Sequence, residues 1–239
     1  MKGECYRVIE LEKGLWAIAE DHVRMFLAEG ENRALLLDTG FGGGDLKGLV
    51  SALTDKPLTV ALTHADRDHT GGLTQFGGEV FLHPAEFDRL ALQFAEGVSM
   101  SPLWEGDEVK LGGRSFTPIH VPGHTPGSLA FLDRERGVLL SGDSVQEGPI
   151  FMFGSGRNFT ALAASMRKLE KWIPEIKTVY PCHNAMPVDA SFIPEIRRGA
   201  EAMLKGELEG YPPKRTDMDC LEFAFERIKF YAYTSGEKE

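Results

Sequence analysis

Residues 63–72 read THADRDHTGG and continue directly from the apolar run LTVALT at 58–63. A short apolar run bounded by turn residues reads as a buried strand. The loop behind it holds His64, Asp66, Asp68 and His69 within six positions. In an α/β sheet, the end of a strand is where side chains from several loops converge on a ligand. Imidazoles and carboxylates suit zinc, iron or manganese, and burying such a loop empty is costly. Arg67 is the sole cation within the cluster, so a divalent ion is expected to neutralise the two carboxylates. Upstream, RALLLD at 33–38, the turn TGFGGGD at 39–45, a helix over DLKGLVSAL and then LTVALT give strand, helix and strand, which predicts a parallel pair. Before them, YRVIEL, LWAIA and VRMFLA alternate with turn residues as a meander.

Downstream, PAEFDRLALQFAEG at 84–97 reads as a helix with Pro84 in its first turn and Gly97 at its end, followed by a mobile stretch, VSMSPLWEGD. The second half repeats the pattern. Strands are expected at FTPIHV, SLAFLD and GVLLSG, and a helix over FTALAASMRKLEKW behind Asn158 as cap, with Phe159, Leu162, Met166, Leu169 and Trp172 on one face. Strand KTVY precedes PCHN, and the helix FIPEIRRGAEAMLK has Asp189 as candidate cap and Gly206 at its stop. The alternating CLEFAFERIKFYAY reads as one final strand, which either completes a sheet or pairs between subunits, leaving oligomeric state open. Residues 234–239 read as a frayed tail. No low-complexity linker divides the chain. The expectation is one α/β domain over 1–239, a four-layer αββα sandwich.

The chain has 239 residues and a net charge of −10, which argues against nucleic acid or an anionic membrane as main partner and favours a small-molecule substrate. No run approaches the roughly 18 apolar residues of a membrane span. The opening MKGECYRVIELEK lacks an apolar signal core, so the chain reads as soluble and cytoplasmic. Cys5, Cys182 and Cys220 form no CxxC pair, which leaves metal chemistry to histidine and carboxylate. Four of the seven histidines, His64, His69, His124 and His183, follow expected strands. His22, His83 and His120 lie outside this pattern and read as structural, and Cys182 as an inert buried thiol.

With these residues in view, the sequence resembles the metallo-β-lactamase superfamily, whose signature His-x-His-x-Asp-His is followed by a His, an Asp and a His in separate loops. The order is kept, with 19 residues from His124 to Asp143 and 40 from there to His183. The resemblance covers residues 6 to about 206. It implies a metal-dependent hydrolase with two divalent ions, zinc first and iron or manganese next. His64 and His124 would bind the first metal and Asp68, His69 and His183 the second, with Asp143 bridging them. Asp38, in LLLDTG, would support the site from behind the ligands. A metal-bridging hydroxide would attack a small ester, thioester, lactone or phosphodiester, and Asp68 would orient the attacking water. No general acid declares itself. Arg157 would either meet an anionic substrate group or anchor a loop.

Asp66 departs from the pattern, standing where the family usually has its second histidine. An Asp oxygen matches the reach of the nearer ring nitrogen, so ligation at 66 is retained. Counting two divalent ions, three carboxylates and a hydroxide gives a neutral core, against +1 with His, and predicts a higher pH optimum. Flavodiiron proteins carry a Glu at this place, so a di-iron redox protein handling oxygen or nitric oxide is the rival reading. It would need a separate electron donor, since nothing beyond 206 is long enough for a flavodoxin domain. A nuclease lacks a basic exosite here. A dinucleotide-binding reading of the TGFGGG turn founders on Asp45, where the fingerprint needs glycine.

Overall fold

The computed structural model describes residues 5–93, 98–214 and 218–233, so the expected helix end at Gly97 and the tail at 234–239 lie outside the described residues. The chain forms two compact units. One runs to Ile119 and includes Phe131–Arg136, and the other comprises His120–Ala130 and the residues from Gly137 on.

The first unit contains β1 (Arg7–Glu12), β2 (Leu15–Glu20), β3 (Val23–Glu29), β4 (Ala34–Leu37), α1 (Leu46–Leu53), β5 (Leu58–Ala61), α2 (Arg67–Thr70), β6 (Gly78–Leu82), α3 (Phe87–Ala91), β7 (Val98–Pro102), β8 (Val109–Lys110) and β9 (Ser115–His120). β1 to β7 form one sheet in chain order, antiparallel from β1 to β4 and parallel from β4 to β7. The expected meander and parallel pair are both there. α1 covers the sheet with Leu46 and Val50, which pack on Ile18, Met25, Leu27 and Leu36.

Two local expectations change. The stretch expected to be mobile supplies β7, whose Val98 and Met100 pack on Leu82 and Leu90 while Ser99 and Ser101 alternate with them. Period-two packing and the ladder to β6 outweigh the weak strand propensity of serine and proline. The helix from Pro84 begins instead as a tight 3-10 turn, Pro84–Glu86, in which His83 Nδ1 accepts the Ala85 N–H at 3.2 Å, and α3 follows it. Arg114, just before β9, fastens this unit. Its buried guanidinium meets Glu12 at 2.8 Å and Asp133 at 3.0 Å, and burial holds its pKa below the usual arginine value despite both carboxylates.

The glycine-rich turn after β4 is filled from within. Buried Glu20 accepts the N–H groups of Phe41 (2.8 Å), Gly42 (3.2 Å) and Gly43 (2.6 Å), and Tyr6 Oη accepts that of Gly44. A pyrophosphate would need those donors, so the dinucleotide reading fails here for a second reason.

β10 (Leu129–Asp133) carries the chain from the second unit back to the first. The second unit continues with β11 (Val138–Gly142), β12 (Gly148–Phe151), α4 (Phe159–Leu169), β13 (Thr178–Pro181), α5 (Phe192–Lys205), β14 (Gly210–Tyr211), β15 (Leu221–Phe225) and β16 (Ile228–Ala232). β11 and β13 pair in parallel, and β12-β16-β15-β14 form a second, mixed sheet. α4 starts as expected, with Asn158 Oδ1 accepting the Ala161 N–H at 2.7 Å. Leu162, Met166 and Leu169 are buried, Phe159 meets Phe230 edge to face, and Trp172 falls in the 3-10 turn that follows. Asp189 precedes the cap of α5, which is Ser191, and accepts its N–H at 2.7 Å; α5 ends at Gly206.

The tail expected as one strand is a hairpin, turned at Glu226 and Arg227 between the paired Phe225 and Ile228. Buried Glu195 of α5 accepts the Arg227 backbone N–H at 2.5 Å and its Nε at 2.7 Å, which holds the turn. β16 completes a sheet within the chain by pairing with β12. Among the described residues no helix is long and apolar enough to cross a membrane.

Glu20→Ala should release the 39–44 turn selectively. Amide exchange at Phe41, Gly42 and Gly43 is expected to speed roughly tenfold or more, with β2 and β3 unchanged. Unchanged protection at all three amides would refute the role given to Glu20.

Candidate metal centre

In the first unit the ligand loop leaves the end of β5 beside the end of its parallel neighbour β4, so Asp38 and Thr63 meet. Asp38 Oδ1 accepts the Thr63 N–H at 2.7 Å, and Oδ2 accepts the Thr63 hydroxyl at 2.8 Å. Asp38 is fully buried with φ of 65°, a backbone strain that its hydrogen bonds hold in place. Oδ2 also lies 2.9 Å from His69 Nδ1, and Thr63 Oγ1 lies 2.9 Å from His64 Nδ1.

These partners decide the tautomers. A carboxylate only accepts, so His69 carries its proton on Nδ1. The one proton of Thr63 goes to Asp38, so its oxygen accepts from His64, which is protonated on Nδ1 as well. Both Nε2 atoms then face carboxylate oxygens, His64 toward Asp66 Oδ2 at 3.6 Å and His69 toward Asp68 Oδ2 at 3.7 Å. The two rings stand 4.1 Å apart.

The second unit presents the same chemistry. Asp143 and His183 follow the adjacent parallel strands β11 and β13, which brings Asp143 Oδ2 to 3.3 Å from His183 Nε2. The Ser141 hydroxyl closes the turn around Asp143 by donating to the Val145 carbonyl. His124 sits in a turn closed by Val121 N–H to the Ser128 carbonyl at 2.8 Å and Thr125 N–H to Ser128 Oγ at 3.0 Å. Gly123 has φ of 145°, and a Cβ there would lie 2.6 Å from Leu162 Cα, so the turn needs glycine to lie against α4. The Phe151 carbonyl accepts from His124 Nδ1 at 2.8 Å, which leaves the Nε2 lone pair facing Asp143 Oδ2 at 3.6 Å.

These nitrogen–oxygen separations of 3.3–3.7 Å are longer than an ordinary N–H···O hydrogen bond. Two ligands of one tetrahedral ion with bonds near 2.1 Å stand about 3.4 Å apart. Both clusters therefore fit a divalent cation in donor type, tautomer and spacing.

Side chains that sequence reading missed hold the loop. Glu86, fully buried, accepts the Ala65 N–H at 2.9 Å. Gln93 donates to the Ala65 carbonyl at 2.6 Å and accepts from Thr70 Oγ1 at 2.7 Å. Arg89 binds Asp66 Oδ1 through Nε at 3.0 Å and Nη2 at 2.7 Å. The expectation that only Arg67 is at hand for the carboxylates is thus corrected, and with Arg89 counted the higher pH optimum no longer follows. Spacing at 86, 89 and 93 marks one helical face, legible as polar but indistinguishable from a solvated one. Arg157 donates to the His124 carbonyl, a contact that anchors the loop. His22 pairs with Asp21, His83 caps its turn and His120 lies 2.9 Å from the Pro126 carbonyl; Cys182 is buried.

Mixed sheets carrying histidine and carboxylate clusters at strand ends define an α/β metal-binding protein. The chain belongs to the metallo-beta-lactamase superfamily, whose family model matches residues 19–183, and is a metallo-hydrolase of that fold. It is 31% identical over 193 residues to acyl-coenzyme A thioesterase MBLAC2 of Homo sapiens, covering 62% of this chain and 69% of that protein. It is 29% identical over 218 residues to hydroxyacylglutathione hydrolase of Stenotrophomonas maltophilia, 87% of this chain and 78% of that protein. Among solved structures, a metallo-beta-lactamase from Pontibacter korlensis superposes with a TM-score of 0.69 at 17% identity, over 82% of this chain and 99% of that one.

Asp38→Ala removes the acceptor of three buried donors. It should destabilise the metal-free protein by about 3 kcal/mol in urea unfolding. A loss below about 1 kcal/mol would contradict the central place given to this carboxylate.

Proposed function

We propose that this chain hydrolyses acyl thioesters, using two divalent cations, zinc first among them, held by His64, Asp66, Asp68, His69, His124, Asp143 and His183. By the family resemblance, His64, Asp66 and His124 would hold one ion and Asp68, His69 and His183 the other, with Asp143 shared. The observation that carries the reading is the common setting of His64, His69 and His124, each with Nδ1 held at 2.8–2.9 Å by an oxygen and Nε2 turned toward a carboxylate. Family membership runs through both units, which supports one working domain.

Bound there, the ion pair would supply Lewis acidity and a water made nucleophilic at neutral pH. The chain's part is positional. Asp38, Thr63 and the Phe151 carbonyl orient the three rings, Arg157 anchors the His124 loop, and the part-exposed Asp68 would orient water. Beside α2, a cavity of about 780 Å³ lined by Phe41, Arg67, Gly71, Leu92 and Gln93 offers an apolar wall and a cation, suited to an acyl group on an anionic carrier.

Thioesters are favoured over the other substrates on two grounds. The relatives named above are an acyl-coenzyme A thioesterase and a hydroxyacylglutathione hydrolase. A thiol leaving group, with a pKa of about 8.5, departs as thiolate without a dedicated general acid, and none was identified from the sequence.

The test is a panel of acyl-coenzyme A and glutathione thioesters, an oxygen ester and a phosphodiester, run with zinc, manganese and iron. Thioester turnover, followed by thiol release, should vanish on chelation, return with metal, and fall about 100-fold or more in kcat/KM for His183→Ala. Full turnover by metal-stripped protein, or turnover of the phosphodiester alone, would overturn the proposal.

A further inference from the structure

Arg89 grips Asp66 in an unusual way for an arginine and carboxylate. A fork-to-fork pair spends both oxygens of the carboxylate. Here Nε and Nη2 both donate to Oδ1, at 3.0 and 2.7 Å, and Oδ2 is the oxygen that faces His64 Nε2 at 3.6 Å. The side chain of Asp66 has two torsions, and this contact selects the rotamer in which one oxygen is committed to the guanidinium and the other is presented beside the imidazole.

The arginine is itself held in place. α3 and its flanks fasten the ligand loop on either side of residue 89, through Glu86 to the Ala65 N–H and through Gln93 to the Ala65 carbonyl and the Thr70 hydroxyl. The three side chains lie at i, i+3 and i+7, one face of a helix. The segment 86–93 thus serves as a clamp with Arg89 at its middle.

We propose that Arg89 is a positioning residue that makes Asp66 a one-oxygen ligand of no net charge. The proposal rests on the reading that Asp66 binds metal. With Arg89 in place the loop carboxylates Asp66 and Asp68 bring −1 to the site instead of −2, so the aspartate–arginine pair matches a neutral imidazole in charge while offering an oxygen donor. Arg89 and Asp66 then form a unit, and neither is expected to work well with the other replaced alone.

The experiment is zinc affinity of the purified full chain, measured by competition with a chromophoric chelator, with circular dichroism as the check on folding. Arg89→Ala should weaken the affected zinc by about 10- to 100-fold, as loss of a ligand's supporting partner does. Arg89→Lys, which keeps the charge without the two-donor grip, should lose less.

The decisive arm is the Asp66→His background. A neutral ligand there leaves the guanidinium uncompensated, so adding Arg89→Ala should strengthen zinc binding, reversing its effect in the parent. Equal effects of Arg89→Ala in both backgrounds, or none in the parent, would overturn the proposal while leaving the metal reading intact. Wild-type protein that takes up no zinc, manganese or iron would overturn both.

Discussion

The carboxylate of Asp38 is the constraint from which the site in the first unit follows. It lies at the end of a strand, fully buried and in a left-handed backbone conformation, and it accepts two hydrogen bonds from one threonine. Through that threonine and directly, it fixes the proton position on two imidazoles. Parallel pairing of β4 and β5 is what brings the carboxylate and the threonine together. The same logic recurs in the second unit, where parallel pairing of β11 and β13 sets Asp143 beside His183 and a backbone carbonyl orients His124.

The ligand loop is short and made of polar residues that would rather face water. It is kept in one conformation by side chains that reach it from elsewhere: Asp38 from one strand end, and Glu86, Arg89 and Gln93 from a helical segment about twenty residues later. Loops that carry chemistry are commonly held by a rigid scaffold in this way. Arg89 belongs to the same scaffold and sets its guanidinium on the Asp66 carboxylate.

Much of this was legible in the sequence because the signals were local. Asn158 caps α4 as expected, the alternation of YRVIEL, LWAIA and VRMFLA gives the meander, and the strand–helix–strand reading around RALLLD and LTVALT gives the parallel pair. The signature residues stood out by order and spacing. Signals failed where a distant contact decided the outcome. β7 exists because β6 offers it a ladder, although serine and proline weaken its own propensity. The tail folds back because Glu195, on α5, captures Arg227 at the turn, which no pattern within 220–233 reveals. Arg89 was invisible for the same reason, since a polar residue on a short helix looks solvated until its partner is known.

The central claim concerns proton positions, and it is measured most directly by long-range proton–nitrogen NMR correlation of the histidine rings. In metal-free protein His64, His69 and His124 should each show the Nδ1-protonated tautomer, and titration with zinc should shift the Nε2 resonance of all three. Rings protonated on Nε2, or Nε2 resonances that ignore the metal, would contradict the account.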